Sequence, residues 1–253
     1  EELPETPEIK SFTAFSEHTA VLDTDFIGEN TMIRATCCVE NIESDYINSR
    51  KISIKTAVRM DPVIINTNEE GICTGIAGLE DVQAQKSNIT LSTIAESAAD
   101  TIVIDEDIEL SSGKAAYKEL LRTDAILSDT TFSVTGDKLQ IRGNLEICTL
   151  YVSDDRTQSV QIIENEVPVA HSIEVETIGD DILWKTDFVL KKYKVEICQD
   201  SDGENRILHV EAEISVTADA YTAQTFELLS DAYSLTQKFT LEKAEITGML
   251  VMD

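Results

Sequence analysis

The sequence has few of the residues from which enzyme active sites are usually built. Only three of its 253 residues are histidines, and His18, His171 and His209 lie far apart in the chain. The GxSxG motif of serine hydrolases, the HExxH motif of zinc proteases and the glycine-rich phosphate-binding loops are all missing. We therefore expect a protein that is not an enzyme and that carries no cofactor.

Cysteine is scarce as well, and its spacing excludes the usual zinc sites. The chain has five cysteines, with no CxxC pair and no histidine at ligand spacing. We therefore expect no bound metal. Two interpretations of the thiols remain open, reduced side chains without a role or cross-links between subunits of an assembly. The candidate cross-linking residues are Cys37, Cys38, Cys148 and Cys198.

Basic residues are outnumbered by acidic ones, 20 to 48, which gives a net charge of −28. Such a surface repels phosphates and anionic lipid headgroups, so a nucleic-acid partner is not expected. Insertion into a membrane is not expected either, because no apolar run approaches the roughly 18 residues of a spanning helix. The acidic side chains serve solubility in one interpretation, and bind cations or a basic partner in the other.

Only 4 prolines and 10 glycines punctuate the chain, and strand-like alternation dominates it. Leucine, isoleucine and valine alternate with polar residues in Lys138–Tyr151 and Arg206–Ala220, which is typical of antiparallel sheets with one solvated face. Turns are predicted at Thr135–Asp137 and Asp200–Asn205. The second turn has some features of a calcium loop, but an ordinary Asp-Gly turn accounts for its residues.

One segment departs from strand periodicity. Residues 111–122 contain helix-forming residues, a serine that could cap a helix, and three apolar residues on one helical face. They predict a short helix near residues 112–122. The fold class expected is therefore mainly β, with tandem antiparallel β-sandwich-like domains and this one helix.

A single pattern is written twice in the chain. The corresponding segments, with the second copy given first in each pair, are Val167–His171 and Phe15–His18, Thr177–Asp181 and Phe26–Asn30, Arg206–Ala220 and Arg50–Met60. A repeat of this length indicates tandem domains. We expect a first repeat over residues 1–97, incomplete at its N-terminal side, and a complete second repeat over residues 98–253.

The second copy resembles the SPOCS domain of clostridial spore-envelope proteins. The segments that carry the resemblance are Ile104–Leu110, Glu119–Leu121, Leu139–Ile147, Thr149–Asp155, Glu166–Val169 and Ile173–Val175. It extends over Thr101–Glu245 in full, and over Ile9–Ser92 as the C-terminal part of a preceding copy. Family members usually carry Lys-Pro-Asp where this chain has Gly113–Ala116.

The resemblance implies a non-catalytic role in building or tethering the layers of the bacterial spore. We expect a structural protein of the coat, exosporium or an appendage, made in the mother-cell cytoplasm, that self-assembles through β-domain edges. Its partners would be further copies of itself, as a homo-oligomer or polymer, and other spore-envelope proteins. The alternatives are an adaptor for a spore-morphogenesis protein, as some relatives are, or a surface carbohydrate-binding module.

An incomplete domain leaves a sheet edge without a partner, and such edges pair with other chains. The N-terminal segment contains prolines and is expected to be extended. It is a candidate to lie on the neighbouring subunit, although a frayed tail would have the same composition. The residues proposed for this contact are Glu1, Leu3, Pro4, Pro7 and Ile9.

Overall fold

A computed structural model describes residues 31–48, 50–66, 71–78 and 81–236, together with residues 11, 19–21, 23 and 238. Within them it has eight β-strands and no helix. The strands are β1 (Thr31–Asn48), β2 (Lys51–Asn66), β3 (Val82–Glu109), β4 (Tyr117–Thr135), β5 (Lys138–Ser153), β6 (Val160–Glu174), β7 (Ile182–Gln199) and β8 (Asn205–Ser234). The mainly β, antiparallel fold class is confirmed.

The chain divides into two compact units. The smaller unit lies within Phe15–Cys73 and contains β1 and β2, which form a two-stranded antiparallel sheet. The larger unit includes the chain from Thr74 onward and contains β3 to β8. The predicted repeat boundary between residues 97 and 98 stays a prediction, and β3 runs across it without interruption.

The larger unit is a sandwich of two three-stranded sheets. One sheet has the order β3-β8-β7 and the other the order β4-β5-β6, all antiparallel. The central strands supply most of the shared core, because alternate residues of each point inward. Its fully buried members include Leu139, Leu145, Val210, Ile214 and Val216.

The turns join these strands as the sequence predicts. β4 and β5 are connected at Thr135–Asp137, with Gly136 at a positive φ of 62°. Between β7 and β8, the Asp200 carboxylate accepts hydrogen bonds from the backbone N–H groups of Asp202 (3.0 Å) and Glu204 (2.9 Å). An aspartate that bonds its own turn in this way explains the Asp-Gly sequence without a calcium ion.

Polar side chains close both open sides of the sandwich. On one side the Tyr193 hydroxyl of β7 donates to the Thr123 carbonyl of β4, at 3.0 Å. On the other side His171 Nε2 of β6 lies 2.8 Å from Asp100 Oδ2 of β3. These contacts fix the alignment of the two sheets, which apolar packing alone leaves less specific.

Glu96 of β3 holds the loop that leads from one sheet to the other. Its carboxylate accepts hydrogen bonds from the backbone N–H groups of Glu176 (3.0 Å) and Thr177 (2.6 Å). Partial burial opposes the charged form, but these hydrogen bonds outweigh it and lower the pKa of Glu96 below its usual value.

The predicted helix near residues 112–122 is wrong. Residues 111–116 form a turn and loop, and β4 begins at Tyr117. The backbone carbonyls that would accept helical hydrogen bonds accept bonds from elsewhere. The Arg206 guanidinium donates to those of Leu110, Ser111 and Lys114, and the Asp154 N–H donates to that of Ala116 at 2.8 Å.

Burial of Tyr117 is the second reason for the strand. Its ring is fully buried and packs edge-on against Tyr151, with ring centroids 4.6 Å apart. Burial raises the pKa of the Tyr117 hydroxyl to about 12. Among the described residues that hydroxyl has no hydrogen-bond partner. The packing of one aromatic ring and the pairing with β5 thus override the local helix propensity.

We predict that Tyr117→Ala lowers the free energy of unfolding by about 3–5 kcal/mol, because it leaves a large cavity. Tyr117→Phe should change the free energy of unfolding by less than about 1 kcal/mol or raise it, since the substitution removes a buried hydroxyl but breaks no hydrogen bond that the structure shows. Urea unfolding measures both values, with the exposed neighbour variant Lys118→Ala as control. An alanine variant as stable as this control would contradict the buried strand.

A second prediction concerns Glu96 and acid. Its folded-state pKa is lowered, so its contribution to stability is present above the unfolded pKa and is lost as the pH falls through the folded one. Glu96→Gln should therefore cost on the order of 1 kcal/mol at pH 6 and little at pH 3. Urea unfolding at the two pH values checks this. Glu106→Gln, at an exposed position of the same strand, should show no such difference.

Candidate assembly surface

One face of the β1–β2 hairpin is apolar along its whole length. Strand alternation and the observed pairing place on it Ile33, Ala35, Cys37, Val39, Ile42 and Tyr46 of β1, and Ile52, Ile54, Val58, Met60, Pro62 and Ile64 of β2. We call these residues the hairpin face. Ser44 and Thr56 are the polar residues among them, and none of the side chains on this face is charged.

The hairpin face is exposed. Its isoleucine, valine, tyrosine and methionine side chains are between 45% and 75% accessible, apart from the half-buried Ile64. A contiguous apolar patch of this size is typical of a surface that binds another protein surface. A two-stranded sheet on its own is also only marginally stable in water. The hairpin face is therefore a candidate surface for contact with another protein surface.

The opposite side of the hairpin carries charged side chains beside apolar ones such as Val63 and Ile65, and we call it the polar side. It carries Arg59, which pairs with Glu40 at 3.2 Å and with Asp61 at 3.0 Å, and whose side chain is half exposed. Exposed ion pairs of this kind contribute little to stability. The hairpin face is thus the side of the hairpin that carries no charged side chain.

The edges of the sandwich offer a second kind of contact. Among the described residues, β3 pairs with β8 along its whole length and its other side pairs with no strand. β7 accompanies β8 only as far as Thr222, so β3 and β8 continue beyond it as a two-stranded arm, Val82–Ser92 with Ala223–Ser234. Backbone groups along such an edge can pair with a strand of another chain.

The structure brings none of the candidate cysteines together. Cys37 lies opposite Met60 on the hairpin face, and Cys38 lies opposite Arg59 on the polar side. Their side chains therefore point to opposite faces, as the sequence predicts for neighbours on a strand. Cys37 is exposed and Cys38 is half-buried. Cross-linking stays a prediction, and Cys37 is the candidate whose position suits it best.

The other two cysteines lie in less favourable surroundings. Half-buried Cys148 on β5 borders a shallow groove whose acidic residues are Asp124, Glu146, Glu164 and Glu166. Two copies that met at this groove would place negative charges against each other. Cys198 lies at the end of β7, opposite Ile207, and is half-buried.

The two histidines in the described part of the chain, His171 and His209, contact carboxylates. His171 contacts the carboxylate of Asp100. His209 lies among carboxylates, with Nδ1 2.8 Å from Asp107 and Nε2 3.5 Å from Glu211. The hydrogen bond with Asp107 is the main reason that the pKa of His209 lies above its usual value. Desolvation acts in the opposite direction and does not cancel this effect. His18 lies outside the described residues.

The predicted assembly segment, Glu1, Leu3, Pro4, Pro7 and Ile9, also lies outside the described residues. Within them, no group of three or more histidine, cysteine, aspartate or glutamate side chains is arranged to hold a metal ion. In the same part of the chain there is no helix long and apolar enough to cross a membrane.

The sequence did not single out the hairpin face as a site. The alternation in Arg50–Met60 marks that segment as a strand, but alternation alone gives no indication that its apolar side lacks a cover. The register of β1 against β2 supplies the missing information, since it adds the apolar residues of β1 to those of β2 on one surface.

We predict that Asp107→Asn lowers the pKa of His209, because the substitution removes the carboxylate charge that stabilises the protonated imidazole ring. A raised pKa means that the stabilisation is complete below the unfolded pKa and is lost as the pH rises through the folded one. The histidine ring signals in an NMR titration give the value directly. Glu106→Gln, between the two aspartates in sequence, is the control. An unchanged titration of His209 would contradict the assigned contact.

Residues 118–198 match the family model described as SipL, SPOCS domain. The matched segment contains nearly all of β4, all of β5 and β6, and β7 up to Cys198, so it includes strands of both sheets. No curated protein and no solved structure matches the chain. The match associates these residues with sporulation, and the resemblance to the SPOCS domain expected from the sequence is confirmed over residues 118–198.

Proposed function

We propose that the chain is a non-enzymatic structural protein of the bacterial spore surface, in the coat, the exosporium or an appendage. It self-assembles, or joins other spore-envelope proteins, through its uncovered β surfaces. These surfaces are the hairpin face and the edges of the β-domains. The SPOCS domain supports the sporulation context, and the exposed hairpin face is the observation that carries the proposal.

The charge of the chain supports contact at this face. With a net charge of −28, two copies repel each other over most of their surfaces. At physiological salt this repulsion is screened beyond about 8 Å, so it acts mainly where surfaces meet. The hairpin face has no charged side chain, and its apolar groups gain from leaving water. Close approach of two copies at this face therefore costs little electrostatic free energy, and burial of its apolar groups stabilises the contact.

An adaptor that binds one morphogenetic partner is the second candidate. The acidic groove beside Cys148 favours it, because four carboxylates on the outside of the β4-β5-β6 sheet suit a basic surface. An adaptor would capture a single partner in fixed proportion and would not form fibres or sheets of its own.

We predict that the purified chain self-associates and that Val58→Glu weakens this association at least about tenfold. Val58 lies opposite Val39 at the centre of the hairpin face, where an added carboxylate would have to be buried. Sedimentation velocity over a concentration series measures the effect, and electron microscopy shows any fibres or sheets.

The matched control is Ala57→Glu, which adds the same charge on the polar side of the same hairpin, opposite Asn41. It should leave self-association close to that of the unmodified chain. Circular dichroism should show that both variants keep the β fold. A chain that stays monomeric at high concentration, with or without oxidant, would contradict the proposed self-assembly.

A further inference from the structure

We infer that copies of this chain join edge to edge through the β3-β8-β7 sheet, with β7 of one copy beside β3 of the next. The inference deepens the proposed function and rests on it, because it names which edges meet and in which order. It follows from the charges of the two outer strands of this sheet, which are opposite in sign and lie at the same level along the central strand.

Both outer strands have a side available for pairing. The central strand β8 pairs with β3 on one side and with β7 on the other. Within the part of the chain that the structure describes, β3 and β7 each pair with no further strand. Backbone N–H and C=O groups along such an edge can bind a strand of another chain.

β7 is a basic strand in an acidic protein. It carries four exposed lysines and two acidic residues, although the whole chain has only 20 basic side chains. The lysines are Lys185, Lys191, Lys192 and Lys194. Of the four outer strands of the sandwich, β3, β7, β4 and β6, only β7 has more basic than acidic residues. A second copy with a net charge of −28 therefore meets its attractive edge at β7.

Two of these lysines are already held by carboxylates of their own chain. Lys192 Nζ lies 2.8 Å from Glu213, and Lys194 Nζ lies 2.7 Å from Glu196. Both pairs are exposed, and exposed ion pairs contribute little to stability. They therefore offer little resistance to a further carboxylate brought by a neighbouring copy.

The acid-rich part of β3 lies level with the lysine-rich part of β7. Asp105 of β3 and Lys194 of β7 are both paired with Glu211 of β8, one from each side. In the same way Val103 and Lys192 are both paired with Glu213. Two copies placed side by side, without a shift along the strands, thus bring the lysines of one beside the carboxylates of the other.

The side chains concerned also project from the same face of the sheet. Asp105 and Asp107 of β3 and Lys192 and Lys194 of β7 are paired with β8 residues that alternate with core residues such as Val210. All four therefore point away from the core. Side chains of neighbouring strands interact when they share a face, and opposite charges in such positions stabilise the pairing.

The strand directions determine what kind of assembly results. β3 and β7 both run antiparallel to β8, so they run parallel to each other. β7 of one copy can therefore pair with β3 of a second copy that has the same orientation. Such a contact joins two different surfaces and leaves one free edge at each end. Head-to-tail contacts of this kind build rings or open filaments, and do not close into dimers.

The test reverses the charge of each edge in turn. One variant carries Lys192→Glu and Lys194→Glu on β7, and the other carries Asp105→Lys and Asp107→Lys on β3. Each variant places like charges at the junction. We expect self-association, measured by sedimentation velocity, to weaken at least about tenfold in each variant, and fibres or sheets to be lost from electron micrographs.

An equimolar mixture of the two variants separates a lost contact from a lost fold. In the mixture the intact β7 of one variant meets the intact β3 of the other, and the two reversed edges are again opposite in charge. We therefore expect the mixture to recover the self-association of the unmodified chain. Neither variant alone should do so, and an unfolded variant could not be rescued in this way.

Two comparisons separate the edge contact from a general effect of charge. Lys138→Glu with Arg142→Glu changes the net charge as the β7 variant does, at exposed positions of the central strand β5. This control should assemble as the unmodified chain does. The β3 variant lowers the net negative charge, so an effect of overall repulsion alone would strengthen its self-association, which is the opposite of the expected result.

The inference and the proposed self-assembly give different results when they fail. If the unmodified chain assembles and either edge variant assembles equally well, or the mixture recovers nothing, the edge contact is wrong and self-assembly through the hairpin face stands. Loss in the β3 variant alone would indicate that β3 meets another basic strand, such as β2. If the unmodified chain stays monomeric, both proposals are wrong.

Discussion

An apolar strand face gains stability when another apolar face covers it, and this constraint distinguishes the two units that the structure describes. In the sandwich, alternate residues of β5 and β8 point at each other across the core, and both strands are fully buried at Leu145 and Ile214. In the hairpin the same alternation meets water at Val58. One physical rule thus accounts for the closed sandwich of the larger unit and for the exposed apolar face of the smaller one.

Covering a face fixes neither how two sheets align nor where the connecting loops run, and a few polar groups do this instead. The Arg206 guanidinium donates hydrogen bonds to three carbonyls of the loop from β3 to β4. The Glu96 carboxylate accepts hydrogen bonds from two N–H groups of the loop from β6 to β7. Each satisfies backbone groups that would otherwise lose their hydrogen bonds on leaving water. Both residues act at the positions where the chain crosses between the sheets.

The strands and turns of the sandwich could be predicted from the sequence, because alternation and the Asp-Gly turns are local signals. The segment at 112–122 could not, since its propensity is helical and its structure depends on Arg206 and Tyr151, which are distant in sequence. The hairpin face was also beyond local signals. Its strand β2 was predictable from Arg50–Met60. The exposure of its apolar side was not, because it depends on which residues β1 places beside β2 and on whether other residues pack against that side.

Charge decides which edge of the sandwich could add to contact through the hairpin face. Over 95–109 the exposed edge strand β3 carries six acidic residues and no basic one: Glu96, Asp100, Asp105, Glu106, Asp107 and Glu109. Two copies paired there would place like charges opposite each other, which destabilises a sheet. Over 82–94 the same strand has a single charged residue, Lys86, already paired with Glu227. Pairing of β3 with the β3 of a second copy would therefore be less unfavourable along the two-stranded arm than over 95–109.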